Sequence, residues 1–147
     1  MTQRRTVLAG LVGATVCGQG FAQEVERSPQ AWIQHLTQSQ PVREGRVQLT
    51  LPRLADNGLS VPLRIQVNSP MTDEDHVLQI CVVSMRNPRP LMARYFLGPH
   101  AGRAEVSTRV RLNGTQEVVV LAQMSDLSWW STRAEVEVTE SACLDAS

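Results

Sequence analysis

The residue with the most evident chemistry is Cys143, close to the carboxyl end. The residues that flank it are Ser141, Ala142, Leu144 and Asp145. The two residues before it are too small to anchor it in a core, and a thiolate is a nucleophile that forms S–S bonds. Four extended residues beyond Thr139, where the last predicted strand ends, carry the sulfur about 13 Å further. The sequence therefore predicts a thiol on a narrow arm that holds a covalent cargo and enters a cleft of another protein.

A second cysteine, Cys81, lies in the middle of the most apolar predicted strand, at 77–84. An unpaired cysteine in such a place behaves as a small hydrophobe, so we predict a core residue. A disulfide between Cys81 and Cys143 is the alternative, since an oxidising compartment permits one. Because bridging needs Cα atoms within about 7 Å, the arm would have to push its tip into the middle of a sheet.

Residues 1–22 have the features of an export signal. Arg4 and Arg5 form a charged start, a short and moderately apolar stretch follows, and small residues precede a cleavage site after Ala22. The paired arginines favour the twin-arginine route, with an ordinary secretory signal as the alternative. A lipid anchor on Cys17 is rejected, because Val16 is too bulky for the preceding position. The mature protein is therefore predicted in the periplasm.

Residues 23–44 form a predicted helical segment. The stretch 28–41 begins with a Ser-Pro helix start and ends at Pro41. Its apolar residues recur on one face: Trp32, Ile33 and Leu36.

Apolar and polar residues alternate with period two through 45–139, as in half-buried strands. Turn signals, such as ADNG at 55–58 and NG at 113–114, separate these runs. About seven short strands with this spacing predict an all-β fold, an immunoglobulin-like β-sandwich. A flexible C-terminal arm, residues 140–147, is predicted to follow it.

Several classes of function are disfavoured by the composition. All positively charged side chains are arginines, and they are spread along the strands, so no basic face for nucleic acid is expected. No apolar run is long enough for a membrane span. A copper site would need clustered Cys, His and Met ligands, and no histidine follows His100. We assign no role to His35 or His76, and we expect no cofactor, no metal site and no catalytic residue.

The sequence resembles the SoxY family, the sulfur-carrying subunit of the bacterial sulfur-oxidation system. The resemblance rests on the paired arginines, the short helix, LPRLADNGLSVPLRIQV at 51–67, MRNPRPLMARYFLGP at 85–99 and the strand VEVT that leads to the cysteine. It implies a periplasmic sandwich, not itself an enzyme, that pairs with a second small sandwich, SoxZ. It also implies that Cys143 carries sulfur covalently and presents it to separate periplasmic sulfur-processing enzymes.

The arm differs from the Gly-Gly-Cys-Gly-Gly ending of typical members. It is closer to related paralogues whose arms read Ala-Ala-Cys-Ile-Glu. Side chains replace glycine on both sides of Cys143, which widens the arm. Glu140 and Asp145 place negative charge near the sulfur, which is expected to disfavour an anionic cargo such as thiosulfate.

A non-catalytic binding or structural module, with an inert or disulfide-locked tail, is the alternative function. Trp129 and Trp130 are adjacent in the last predicted strand, so their side chains face opposite ways. One of them is predicted either to anchor an interface or to pack under the N-terminal helix.

Overall fold

The computed structural model describes residues 28–140. It contains one α-helix, nine strands and a short 3-10 helix at Pro99–Ala101. The regular elements are α1 (Pro29–Thr37), β1 (Val42–Glu44), β2 (Val47–Thr50), β3 (Leu54–Asn57), β4 (Val61–Val67), β5 (Val77–Ser84), β6 (Leu91–Phe96), β7 (Glu105–Val110), β8 (Gln116–Met124) and β9 (Trp129–Glu140).

Helix α1 begins as predicted. The Ser28 hydroxyl accepts a hydrogen bond from the Ala31 N–H, and Pro29 occupies the first turn, where no backbone donor is needed. The helix ends before Pro41, however, because Gln38 and Ser39 take left-handed backbone conformations. The Gln38 N–H then satisfies carbonyls of the last turn.

The strands form two sheets, which confirms the predicted sandwich. The large sheet has the order β1-β9-β8-β5-β6, with β3 also paired to β9, and the small sheet has the order β2-β4-β7. β4 shows the alternation most clearly, since every second residue from Val61 to Val67 is buried. These inward side chains pack against the large sheet and form the main core.

Two of the nine strands were not predicted. Both β1 and β3 pair in parallel with β9, β1 along Trp129–Ser131 and β3 along its last four residues. The ADNG signal at 55–58 was wrong as a turn, since three of its four residues belong to β3. β1 and β3 together flank both ends of β9 on the side away from β8.

A second apolar cluster lies on the outer face of the large sheet. Its buried members are Cys81, Val83, Val119, Leu121 and Trp129, with Ile33 and Leu36 of α1 packed against them. The Trp129 side chain is only 2% exposed, so this tryptophan packs under the helix. Helix α1 therefore covers part of a sheet face that would otherwise expose apolar residues.

Trp130 lies on the opposite face and packs at the edge of the main core. The guanidinium groups of Arg43 and Arg46 lie 5.7 and 5.3 Å from the centre of its ring, within the range of cation–π attraction. Its indole N–H donates to the Ser128 hydroxyl at 3.0 Å. Both tryptophan side chains therefore pack within this protein, and neither protrudes as an interface anchor would.

Candidate functional site

The predicted arm begins where the described chain ends. β9 runs to Glu140, and the predicted site residues Cys143, Ser141, Ala142, Leu144 and Asp145 lie outside the described residues. The structure does show the surface from which the arm leaves. We call this surface the arm root and define it as β3, the turn 58–60 and the end of β9 from Glu137.

Strand β3 holds the last residues of β9 at the arm root. Leu54 lies opposite Glu137, and Asn57 lies opposite Glu140. The Gly58 N–H donates to the Glu140 carbonyl at 2.8 Å, so the last described residue is bonded through its backbone. The Thr139 hydroxyl donates to the Asp56 carbonyl. The chain is therefore fixed to within three residues of Cys143.

On its other side, the end of β9 is held by the Thr115 side chain, beyond the last residue that pairs with β8. β8 pairs with β9 only as far as Gln116, opposite Val136. Beyond that point the Thr115 hydroxyl accepts a hydrogen bond from the Val138 N–H at 2.9 Å. The Leu112 N–H donates to the Gly58 carbonyl at 2.8 Å, which ties the β7–β8 turn to the arm root.

An asparagine connects the loops beneath this end of the sandwich. The Asn87 side-chain N–H donates to the Arg111 carbonyl at 2.8 Å, and its oxygen accepts from the Asn113 N–H and from the Gln116 side chain. The half-buried Asn87 and the buried Gln116 are both satisfied in this way, which favours a single loop arrangement. The arm root therefore rests on an ordered base.

The surface of the arm root is apolar and acidic. Leu54 and Leu59 are 56% and 54% exposed. The arm root also carries three exposed carboxylates: Asp56, Glu137 and Glu140. Arg53 and Glu137 line the same shallow groove beside β9.

Cys81 is placed as predicted, in the interior. It is a free cysteine with no exposed surface, under α1. Burial raises the pKa of the Cys81 thiol from 9.0 to about 11, an effect that the Arg94 guanidinium partly offsets. The full burial of Cys81 in the apolar cluster against which α1 packs favours the core role.

We expect Cys81 to resist alkylation in the native protein at pH 8, because it is buried and protonated. Trypsin separates the two thiols, since Cys81 falls in the peptide 65–86 and Cys143 in the peptide 134–147. Iodoacetamide labelling followed by mass spectrometry should modify only the second peptide until urea unfolds the protein. Labelling of peptide 65–86 in the native state would contradict this burial.

The raised pKa of the Cys81 thiol also predicts that the free energy of unfolding decreases at high pH. Its folded pKa lies above its unfolded value of 9.0, so the stabilisation is complete below pH 9.0 and is lost as pH rises toward about 11. The urea midpoint of the wild type should therefore fall more steeply over this range than that of Cys81→Ala. Parallel pH dependence in the two proteins would count against a protonated buried thiol.

The three histidines lie apart from the arm root. His35 packs edge-on against Trp32 in α1 with ring centres 5.9 Å apart, and a His76 ring nitrogen lies 2.9 Å from the Thr72 carbonyl. His100 lies in the 3-10 helix. Within residues 28–140, no three His, Cys, Asp or Glu side chains are grouped as metal ligands would be. No helix in that same range is long and apolar enough to cross a membrane.

The family model of the sulfur oxidation protein SoxY matches residues 33–143. The chain belongs to the SoxY family. A solved SoxY, the sulfur carrier protein from Chlorobium limicola f thiosulfatophilum, is 26% identical over 76% of this chain and 96% of its own, with a TM-score of 0.64. The SoxY family match therefore runs from the middle of α1 through the sandwich to Cys143.

The SoxY sandwich is also similar in fold to superoxide reductases. The neelaredoxin of Ignicoccus hospitalis is 15% identical, with 64% of this chain and 80% of that one covered and a TM-score of 0.58. The superoxide reductase of Nanoarchaeum equitans is 12% identical, with 65% and 100% covered and a TM-score of 0.55. At these identities the similarity shows the fold alone. No curated protein matches the sequence.

Sequence reasoning located the cysteine but missed the arm root. The pairing that builds it joins residues 54–57 to residues 137–140, about eighty positions apart. The signal that was available is ADNG directly before a strand, which was interpreted as a turn. The exposure of Leu54 and Leu59 has no periodic signature in the sequence.

Proposed function

We propose that this protein is a periplasmic sulfur carrier that holds a sulfur species covalently on Cys143. The observation that carries the proposal is the extent of the family match, which runs to residue 143 and so includes the arm as far as its cysteine. The similar protein from Chlorobium limicola bears the name sulfur carrier. The structure supports the proposal through a strand that is bonded as far as Val138 on one side and Glu140 on the other, three residues before the thiol.

Loading the carrier means forming an S–S bond between Cys143 Sγ and the cargo sulfur. With a persulfide donor, R–S–SH, the thiolate attacks the outer sulfur and the donor S–S bond breaks. The electron pair leaves with the donor thiolate, which takes up the proton that Cys143 released, so the exchange is redox-neutral. With a sulfur anion such as thiosulfate, the same bond forms with loss of two electrons, which the loading enzyme must pass to an electron-accepting redox protein.

The carrier itself supplies no group to these reactions apart from the thiol. Separate periplasmic enzymes would therefore receive the arm and process the bound sulfur. A SoxZ-like sandwich is the proposed stable partner, and twin-arginine export of a folded pair would deliver both to the periplasm. Negative charge from Glu140 and Asp145 near the sulfur favours a neutral cargo or a short-lived anionic one.

Mass spectrometry of the natively purified protein tests the proposal. A mature chain that begins at Gln23 and carries an added sulfur species is expected, with the addition on peptide 134–147 and removed by a thiol reductant. Peptide 65–86, which contains the buried Cys81, is the internal control and should be unmodified. An unmodified peptide 134–147 under all sulfur-oxidising growth conditions would refute the carrier function.

A further inference from the structure

Exposed apolar side chains are concentrated at the arm root. Among residues 28–140, four large hydrophobic side chains are strongly exposed: Leu54, Leu59, Phe96 and Leu127. The first two lie within six positions of each other in the segment that holds the end of β9. Ala55 packs on the core, so strand alternation turns Leu54 outward, on the side of Glu137. Leu59 follows in the turn whose Gly58 N–H binds the Glu140 carbonyl.

The short arm makes this surface part of any complex that forms through the thiol. Cys143 is the third residue beyond Glu140, so even a fully extended chain carries it only about 10 Å from the end of β9. An enzyme that surrounds the sulfur in a cleft must bring the rim of that cleft to the arm root. The exposed surface there is then removed from water in every such complex, and leucine burial is the favourable part of that step.

We propose that Leu54 and Leu59 form the contact by which the body of this protein docks on the enzymes that process the arm-bound sulfur. This inference rests on the proposed carrier function. The partner is an enzyme whose cleft entrance has an apolar rim bordered by arginine or lysine. The basic border is inferred from the three carboxylates of the arm root, Asp56, Glu137 and Glu140, which would otherwise be desolvated without a counter-charge.

One arginine of β9, Arg133, is already paired with a carboxylate outside the arm root. Arg133 lies on the same outer face of β9, but its guanidinium is 3.5 Å from the Glu117 carboxylate. Arg53 lines the same groove as Glu137. Among residues 28–140, however, none of the three carboxylates of the arm root forms an ion pair, so they remain open to a cationic partner.

The chain offers a matched control for these two leucines. Leu127 is 57% exposed, as much as Leu54 and Leu59, but it lies in the turn before β9, at the end of the strand opposite to the arm. A general effect of surface leucines would be equal at both ends. A docking contact for the arm would be confined to one.

The test compares the double variant Leu54→Ser/Leu59→Ser with Leu127→Ser in the producing cells. The readout is the fraction of peptide 134–147 that carries a sulfur addition. The modified fraction is expected to be about tenfold lower in the double variant than in the wild type. In Leu127→Ser it should equal the wild-type fraction. Leu59→Ser alone, which lies in a turn and leaves β3 intact, should show a smaller loss in the same direction.

Measurements on the purified variants distinguish a loss of docking from a change in thiol reactivity, stability or oligomeric state. The rate of Cys143 alkylation by iodoacetamide and the thermal midpoint should be the same in all variants, because neither depends on an enzyme. Light scattering should give one oligomeric state throughout, whereas a state that changes only in the double variant would assign the patch to a second copy of this chain and overturn the proposal.

Two further outcomes are decisive. Full modification of the double variant, with a modified wild type, would overturn the docking contact and leave the carrier function standing. A wild type without any addition on peptide 134–147 would refute the carrier function itself, and the docking contact with it.

Discussion

Replacement of Cys143 by serine is expected to abolish sulfur loading completely. The hydroxyl cannot form the S–S bond, and within residues 28–140 the remaining thiol, Cys81, is buried with a pKa of about 11. Mass spectrometry of Cys143→Ser from producing cells should show peptide 134–147 with no sulfur addition. Cells that depend on this protein for sulfur oxidation should behave as though the gene were deleted.

The matched control is Cys81→Ser, which removes the buried thiol of the large sheet. It should lose stability, because it places a hydroxyl in an apolar cluster, but the fraction of modified peptide 134–147 should stay at the wild-type level. Sulfur oxidation that persists in cells with Cys143→Ser would refute the carrier role. A loss of loading in folded Cys81→Ser would point to a role for the buried thiol that the structure does not support.

Replacement of Trp129 by alanine is expected to lower the free energy of unfolding by about 3–5 kcal/mol, the usual cost of removing a buried tryptophan. This side chain is 2% exposed and joins two strands of the large sheet to α1. Its loss leaves a cavity in the apolar cluster against which Ile33 and Leu36 of α1 pack. Urea unfolding followed by circular dichroism measures the change without relying on tryptophan fluorescence.

Leu127→Ala provides the comparison for this prediction. Leu127 is 57% exposed, two positions before Trp129, and its truncation should change the free energy of unfolding by less than about 0.5 kcal/mol. A cost below about 1 kcal/mol for Trp129→Ala would mean that α1 is not firmly packed on the sheet. Cys81 would then become accessible, and its alkylation in Trp129→Ala at pH 8 would reveal it.

The strands that carry their own alternation could be predicted from the sequence. β4 buries every second residue over its whole length, so its periodicity reports its burial directly. β1 and β3 could not be predicted in this way, because three or four mostly exposed residues contain no periodic signal. The edge of β9 determines their strand conformation. In the same way, the left-handed conformations of Gln38 and Ser39 end α1 earlier than Pro41 alone would suggest.

The candidate site likewise contains features that follow from the local sequence and features that depend on pairing between distant segments. A thiol among small residues after the last strand is a local pattern, so Cys143 could be proposed without a structure. Alternation also predicted that Trp129 and Trp130 face opposite ways, but which one the helix covers depends on where α1 docks. The arm root depends on pairing between distant segments, and its exposed leucines are recognisable only once that pairing is known.

The two-sided attachment of the end of β9 has a mechanical consequence. Under the proposed function, a force that an enzyme applied to the arm would run along β9, and the hydrogen bonds to β8 lie across that direction. Such bonds are loaded together in shear and do not open one by one, as they would if the strand were peeled from an edge. Tension on the arm would therefore be shared among the hydrogen bonds along Trp129–Val136, and it would not separate β9 from β8 one residue at a time.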